Sequence, residues 1–131
     1  MRNPDKGYSA GYAMTETRKT LTAGAFREDS IPAIELNTYL RHWDRITFLS
    51  REKDGVDADR FIPMRAGEFL EKQIAIASGL LDLGVRKEDR VAVFAENSVR
   101  YAITVFAILS AGAVFVPIYP TTTAVEAEHI V

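Results

Sequence analysis

Between residues 66 and 83, apolar side chains return along one side of a helical spiral. Phe69, Ile76, Leu80 and Leu83 follow one another at spacings of seven, four and three, which predicts an amphipathic helix. Gly84 stands directly after the last periodic residue, where a left-handed position favours glycine. At the other end Glu68 holds the acidic position of a capping box, but the cap itself is Arg65 instead of Ser or Thr. Residues 90–95 then change to a short valine-rich run between Lys87-Glu88-Asp89 and Glu96-Asn97-Ser98, the pattern of a strand buried on both faces. Asn97 or Ser98 is placed to cap a helix over residues 99–111, apolar nearly all round and so expected to be buried on more than one side. Gly112 ends it. Residues 113–118 read as a second buried strand closed by Pro117 and Pro120, with Val114 and Val116 on one face and Phe115 and Pro117 on the other. Thr123 and Glu126 fit a capping box that opens one more helix.

Strand, helix, strand is a βαβ parallel unit, and with flanking helices the fold class is α/β. A parallel pair buried on both faces needs more sheet than these residues supply, so residues 31–131 read as one incomplete α/β subdomain. Upstream, residues 46–50 suit a strand and Lys53-Asp54-Gly55 a turn, with a hairpin returning through Phe61-Ile62; the pattern leaves residues 31–45 undetermined. Residues 1–30 are polar, carry Gly7, Gly11 and Gly24 and show no apolar period, which predicts a flexible N-terminal arm.

Composition narrows the function classes. The 131 residues are 47% hydrophobic and 26% charged, as in a soluble globular domain. Sixteen Lys and Arg against eighteen Asp and Glu leave a formal net charge of -2, with no charge run that would suit nucleic acid or an anionic membrane. Cysteine is absent, which excludes disulfides and thiolate metal sites and fits a cytoplasmic location. The N-terminus lacks the apolar core of a signal peptide. The most apolar stretch, residues 101–119, is broken by Thr104, Ser110, Gly112 and Pro117, so it predicts two elements meeting at a turn and no transmembrane segment.

Few residues invite chemistry. A dinucleotide site needs glycines in the first βα turn, and that turn is Ala95-Glu96-Asn97-Ser98. No glycine-rich run leads into Lys-Ser or Lys-Thr. His42 and His129 have neither a second ligand nor a nucleophile at useful spacing, and surface or capping roles suit both. Lys87-Glu88-Asp89-Arg90 reads as a solvated turn. Glu126 and Glu128, two apart, do not share a helix face as a carboxylate pair would, and Asp57 and Asp59 fall in a loop. Thr121-Thr122-Thr123 is the one hydroxyl cluster, at the C-terminal end of a parallel strand, where open α/β sheets bind ligands. Turn chemistry plus the cap by Thr123 accounts for it more simply than a cleft lining does.

Several of these segments resemble a known family. Gly79-Leu80-Leu81-Asp82-Leu83-Gly84-Val85, Asp89-Arg90-Val91-Ala92-Val93, Glu96-Asn97-Ser98 and the run from Phe106 to Val114 are similar, in order and spacing, to the N-terminal signature of AMP-forming acyl-CoA synthetases. Val116-Pro117-Ile118-Tyr119-Pro120-Thr121 followed by Ala124-Val125-Glu126 resembles the long-chain fatty acid branch. The resemblance covers residues 61–131. Two departures stand out: Glu88 lies where the family usually has glycine, and Arg65 where it usually caps with Ser or Thr.

The resemblance implies an N-terminal segment of a long-chain fatty acid-CoA ligase. Such a ligase uses ATP and magnesium to form an acyl-adenylate and pyrophosphate, then exchanges AMP for the thiol of coenzyme A. The family's phosphate loop, a Ser/Thr/Gly-rich run ending in Pro-Lys-Gly, does not occur here. Its ribose-binding acid, magnesium ligand and catalytic lysine belong further along the family pattern. No residue of this chain is therefore named as catalytic, cofactor-binding or metal-binding, and the segment alone is expected to be inactive. Its implied partners are the remainder of the ligase and, through apolar surface left uncovered, a second copy. Two alternatives stay open: a segment of another adenylating enzyme (an aryl- or medium-chain ligase, or a peptide-synthetase adenylation domain), and a non-catalytic interaction module.

Overall fold

A computed structural model describes residues 29–51 and 61–130. Along the chain run α1 (Ile31–Arg41), β1 (Ile46–Arg51), β2 (Phe61–Arg65), α2 (Ala66–Asp82), β3 (Arg90–Phe94), α3 (Val99–Ser110), β4 (Val114–Ile118) and α4 (Ala124–Ile130). β1 and β2 pair antiparallel, with a register shift between Ile46 and Phe48. β3 and β4 pair parallel, Arg90 opposite Val114 through Phe94 opposite Ile118. The predicted hairpin and βαβ unit are both present, and the fold is α/β. The turn residues Lys53-Asp54-Gly55, the loop acids Asp57 and Asp59, and the arm up to residue 28 lie outside the described residues.

Phe69 joins the elements. It is fully buried, stacked on Phe48 of β1 with ring centroids 4.9 Å apart. The edge contacts of the cluster run to Tyr39 of α1 at 5.2 Å and to Phe106 of α3 at 6.1 Å. Offset and edge-on aromatic pairs of this kind add to simple area burial. A second cluster, Leu40, Trp43 and Leu70, locks α1 to α2.

The start of α2 is specified differently from a Ser or Thr cap. The Arg65 backbone N–H donates to Glu68 Oε2 at 3.0 Å, the acidic half of a capping box. A guanidinium has no acceptor to offer in return, and the Arg65 side chain instead donates to the Asp44 carbonyl. The loop after α1 supplies the missing acceptors: Ala66 N–H donates to Arg45 O at 2.9 Å and Gly67 N–H to Trp43 O at 3.0 Å. Two orphan donors of the first turn are thus met by backbone carbonyls. The Trp43 indole lies flush on Gly67, where a Cβ would come within 2.4 Å of the ring.

Both predicted glycine stops are real. Gly84 has φ +93° and Gly112 φ +79°. In each case the two following-turn bonds of a Schellman motif form: Gly84 N to Leu81 O and Val85 N to Leu80 O, both 3.0 Å, and Gly112 N to Leu109 O and Ala113 N to Ile108 O, both 3.1 Å. Ser98 is the cap of α3, its hydroxyl accepting from Tyr101 N–H at 3.1 Å.

Two expectations need correction. The buried stripe of α2 is Ala66, Phe69, Leu70, Gln73 and Ala77, and Ile76 and Leu83 are exposed, Leu83 at 85%. The stripe is rotated away from the apolar series because Gln73, a polar residue, occupies its centre. The parallel pair is also not covered on both faces. Val91, Val93 and Phe115 are half-buried, and Phe115 meets Tyr101 of α3 edge-on at 5.8 Å. On the opposite face Ala92, Phe94 and Val114 are exposed, Val116 is half-buried and Ile118 is buried, so among the described residues that face is covered only toward the end of β4. α3 is half-buried around most of its circumference, with Ile103, Ala107 and Ile108 fully enclosed.

Candidate functional site

β4 ends at the buried Ile118, and the chain turns immediately: Thr122 N–H donates to Tyr119 O at 2.9 Å. Thr123 then caps α4 reciprocally. Its hydroxyl accepts from Glu126 N–H at 3.3 Å, while its own N–H and hydroxyl donate to Glu126 Oε2 at 2.8 and 2.9 Å. The backbone N–H of Thr123, followed by its hydroxyl, holds the Glu126 carboxyl below the usual carboxylate range. The predicted capping box is therefore formed, and Glu126 is occupied by it.

Turn and helix together wall an open cleft of about 630 Å³, lined by Tyr119, Thr121, Thr122, Val125, Glu126, His129 and Ile130. Of the threonine cluster, Thr123 serves the cap, while Thr121 and Thr122 reach the cleft. His129 joins them there, in the last turn of α4. His42 lies elsewhere, at the C-cap of α1, where its N–H donates to Thr38 O. The cleft thus sits at the C-terminal edge of a parallel strand, the edge at which α/β sheets bind ligands. Its chemistry is apolar surface edged by the hydroxyls of Thr121 and Thr122, the phenol of Tyr119, an imidazole and the capped Glu126 carboxylate. The turn at residues 95–98 offers no glycine for close phosphate approach. Among the described residues no group of three His, Cys, Asp or Glu could hold a metal ion.

A second polar constellation lies among the helices. Glu35, Asn37 and Gln73 are buried where α1, α2 and α3 meet. Gln73 Nε2 donates to Glu35 Oε2 at 3.1 Å and to Ser110 Oγ at 2.9 Å. The sequence carries only part of a signal: Gln73 falls inside the stripe of residues 66, 69, 70, 73 and 77 of α2 and Asn37 inside that of residues 33, 37 and 40 of α1, whereas Glu35 lies outside that face.

A helical layer lies against a two-stranded parallel βαβ unit, an α/β arrangement whose open cleft lies at the end of β4. A profile of the AMP-binding enzyme family matches residues 64–131, just over half the chain, and the chain belongs to that family. It is similar to the long-chain-fatty-acid–CoA ligase FadD15 of Mycobacterium bovis, 46% identical over 56 residues, covering 43% of this chain and 9% of the relative. It is also similar to surfactin synthase subunit 2 of Bacillus subtilis, 27% identical over 128 residues, covering 98% of this chain and 4% of the relative. The chain spans less than a tenth of the length of either. In fold it follows the N-terminal subdomain of Klebsiella oxytoca NpsA, with a TM-score of 0.66 at 24% identity over 77% of this chain and 24% of the other. No described helix is long and apolar enough to cross a membrane.

Proposed function

We propose that this chain forms the N-terminal part of an AMP-forming ligase that activates a long-chain fatty acid with ATP and passes the acyl group to the thiol of coenzyme A in the cytoplasm. The observation that carries this is the ordered run from Gly79 to Glu126. The Gly84 stop, the Asp89-Arg90-Val91 entry to β3, the Ser98 cap, the Gly112 stop and the Thr123–Glu126 box are consecutive parts of one unit. The similarity to FadD15 supports a fatty acid as the carboxylate.

The described residues do not fit ATP, magnesium or coenzyme A. They present neither a glycine-bearing phosphate cradle nor a cluster of acids, so no step of the reaction is assigned to them. Their part is to build the sheet and the strand edge against which later residues act.

A second reading, amino-acid activation in a peptide synthetase, is supported by the similarity to surfactin synthase subunit 2, which extends over nearly the whole chain. Carboxylate-dependent exchange of labelled pyrophosphate into ATP separates the two, measured on the gene product that contains this chain. Exchange stimulated by long-chain fatty acids is expected. Exchange with amino acids alone overturns the fatty acid assignment in favour of the second reading, and exchange with aryl acids alone, or with none of these, overturns both.

A further inference from the structure

Glu35 is 8% exposed and Gln73 is fully buried. Their single mutual hydrogen bond uses Gln73 Nε2 and Glu35 Oε2. The other oxygen of each group, Glu35 Oε1 and Gln73 Oε1, is also enclosed and has no hydrogen-bond partner among the described residues. An ionised carboxylate leaves these as two buried acceptors with no donor between them, a costly arrangement. One added proton resolves both, since a neutral carboxylic acid gains an O–H donor and a side-by-side acid and amide can close a two-bond ring.

We propose that Glu35 is a neutral acid in the folded chain, donating from Oε1 to Gln73 Oε1, and that loss of this proton unlatches α1 from α2 and α3. Among the described residues, the charged groups on the three helices offer no counter-ion. On α1, Tyr39 lies one turn away, and its phenol is pushed up to about 12 by burial and by the Glu35 charge. On α2, Glu68 and Lys72 act on Glu71, whose carboxyl is raised by burial and by Glu68 and lowered by Lys72. On α3, the charged residue is Arg100, nearly three turns from Ser110. Burial accordingly raises the Glu35 carboxyl to about 7, opposed by the Gln73 hydrogen bond.

The sign follows from linkage. The folded state holds the proton more tightly than the unfolded state, so the stabilisation is full below about 4.5 and is lost as pH rises to about 7. The latch does not depend on which carboxylic acid the protein activates.

Unfolding equilibria of the 131-residue chain and of Glu35→Gln, followed from pH 4.5 to 8, test it. The glutamine keeps the shape and forms an amide–amide pair that does not titrate. The folding equilibrium constant of the parent should fall, relative to Glu35→Gln, by on the order of a hundredfold across this window. Amide hydrogen exchange in α1, corrected for its intrinsic pH dependence, should quicken above pH 7 in the parent only. Parallel profiles, or a variant less stable than the parent at pH 8, overturn the proposal. Should Glu35→Gln fail to fold, carbon-13 titration of the parent's assigned carboxyls decides. A Glu35 midpoint near 7 supports the latch, and a midpoint in the ordinary carboxylate range overturns it.

Discussion

Glu88 stands at φ +72°, in the left-handed region where a side chain costs roughly 1–2 kcal/mol. The turn requires this conformation. Arg86 N–H donates to Asp89 Oδ2 at 2.7 Å, Glu88 N–H to Gly112 O at 2.9 Å and Val114 N–H to Asp89 O at 2.7 Å. These bonds tie the entry of β3 to the entry of β4. The sequence marked this position, because glycine is usual there in the family that the surrounding residues resemble. The backbone supplies the reason. Glu88→Gly should raise stability by about 0.5–1 kcal/mol, the relief of strain being partly offset by the greater freedom of glycine in the unfolded chain. A thermal melt checks it: an upward shift of a few degrees is expected, and a fall would mean that the Glu88 side chain contributes more than its backbone costs. The Glu35–Gln73 contact, by contrast, was not legible. Polar residues look alike in sequence whether they face water or a core, and only the packing of three helices shows that these two are enclosed.

At the scale of elements, capping chemistry was the most legible feature. Ser98, Gly84, Gly112 and the Thr123–Glu126 box act locally, within one turn, and local rules suffice for them. α1 escaped because its apolar stripe is short and interrupted by Asn37 and Glu35, although Ser30 and Pro32 mark its start. The strand faces were misjudged for another reason: burial of a parallel pair depends on layers that other parts of a sheet must bring. The consequence is an asymmetry between neighbours. Phe115 packs on Tyr101, so Phe115→Asp should cost about 3 kcal/mol or more. Val114 is 45% exposed, so Val114→Asp should cost less than about 1 kcal/mol in this chain. Melts of both variants test this, and equal losses would mean that Val114 is covered after all.

Across the whole molecule, Phe94, Val114, Tyr119, Val125 and Ile130 are large apolar residues left exposed on β3, β4 and the segment beyond. Exposed apolar surface of this kind marks an interface, and the chain by itself should self-associate as its concentration rises. Light scattering should show mass growing with concentration, and a clean monomer that binds no hydrophobic dye would contradict this. The described residues present no convergent backbone N–H groups for a triphosphate, so calorimetric titration with ATP and magnesium should give no affinity in the micromolar range. Micromolar binding would mean that a nucleotide site exists within these residues.

Trapping the intermediate decides whether this chain belongs to an AMP-forming carboxylate ligase. The gene product containing this chain is supplied with ATP, magnesium and a long-chain fatty acid, without coenzyme A, and the nucleotide products are analysed by mass spectrometry. An acyl-adenylate together with pyrophosphate is expected, and its conversion to a thioester with release of AMP when coenzyme A is added. ADP and inorganic phosphate in their place, or no acid-dependent turnover of ATP, would contradict it.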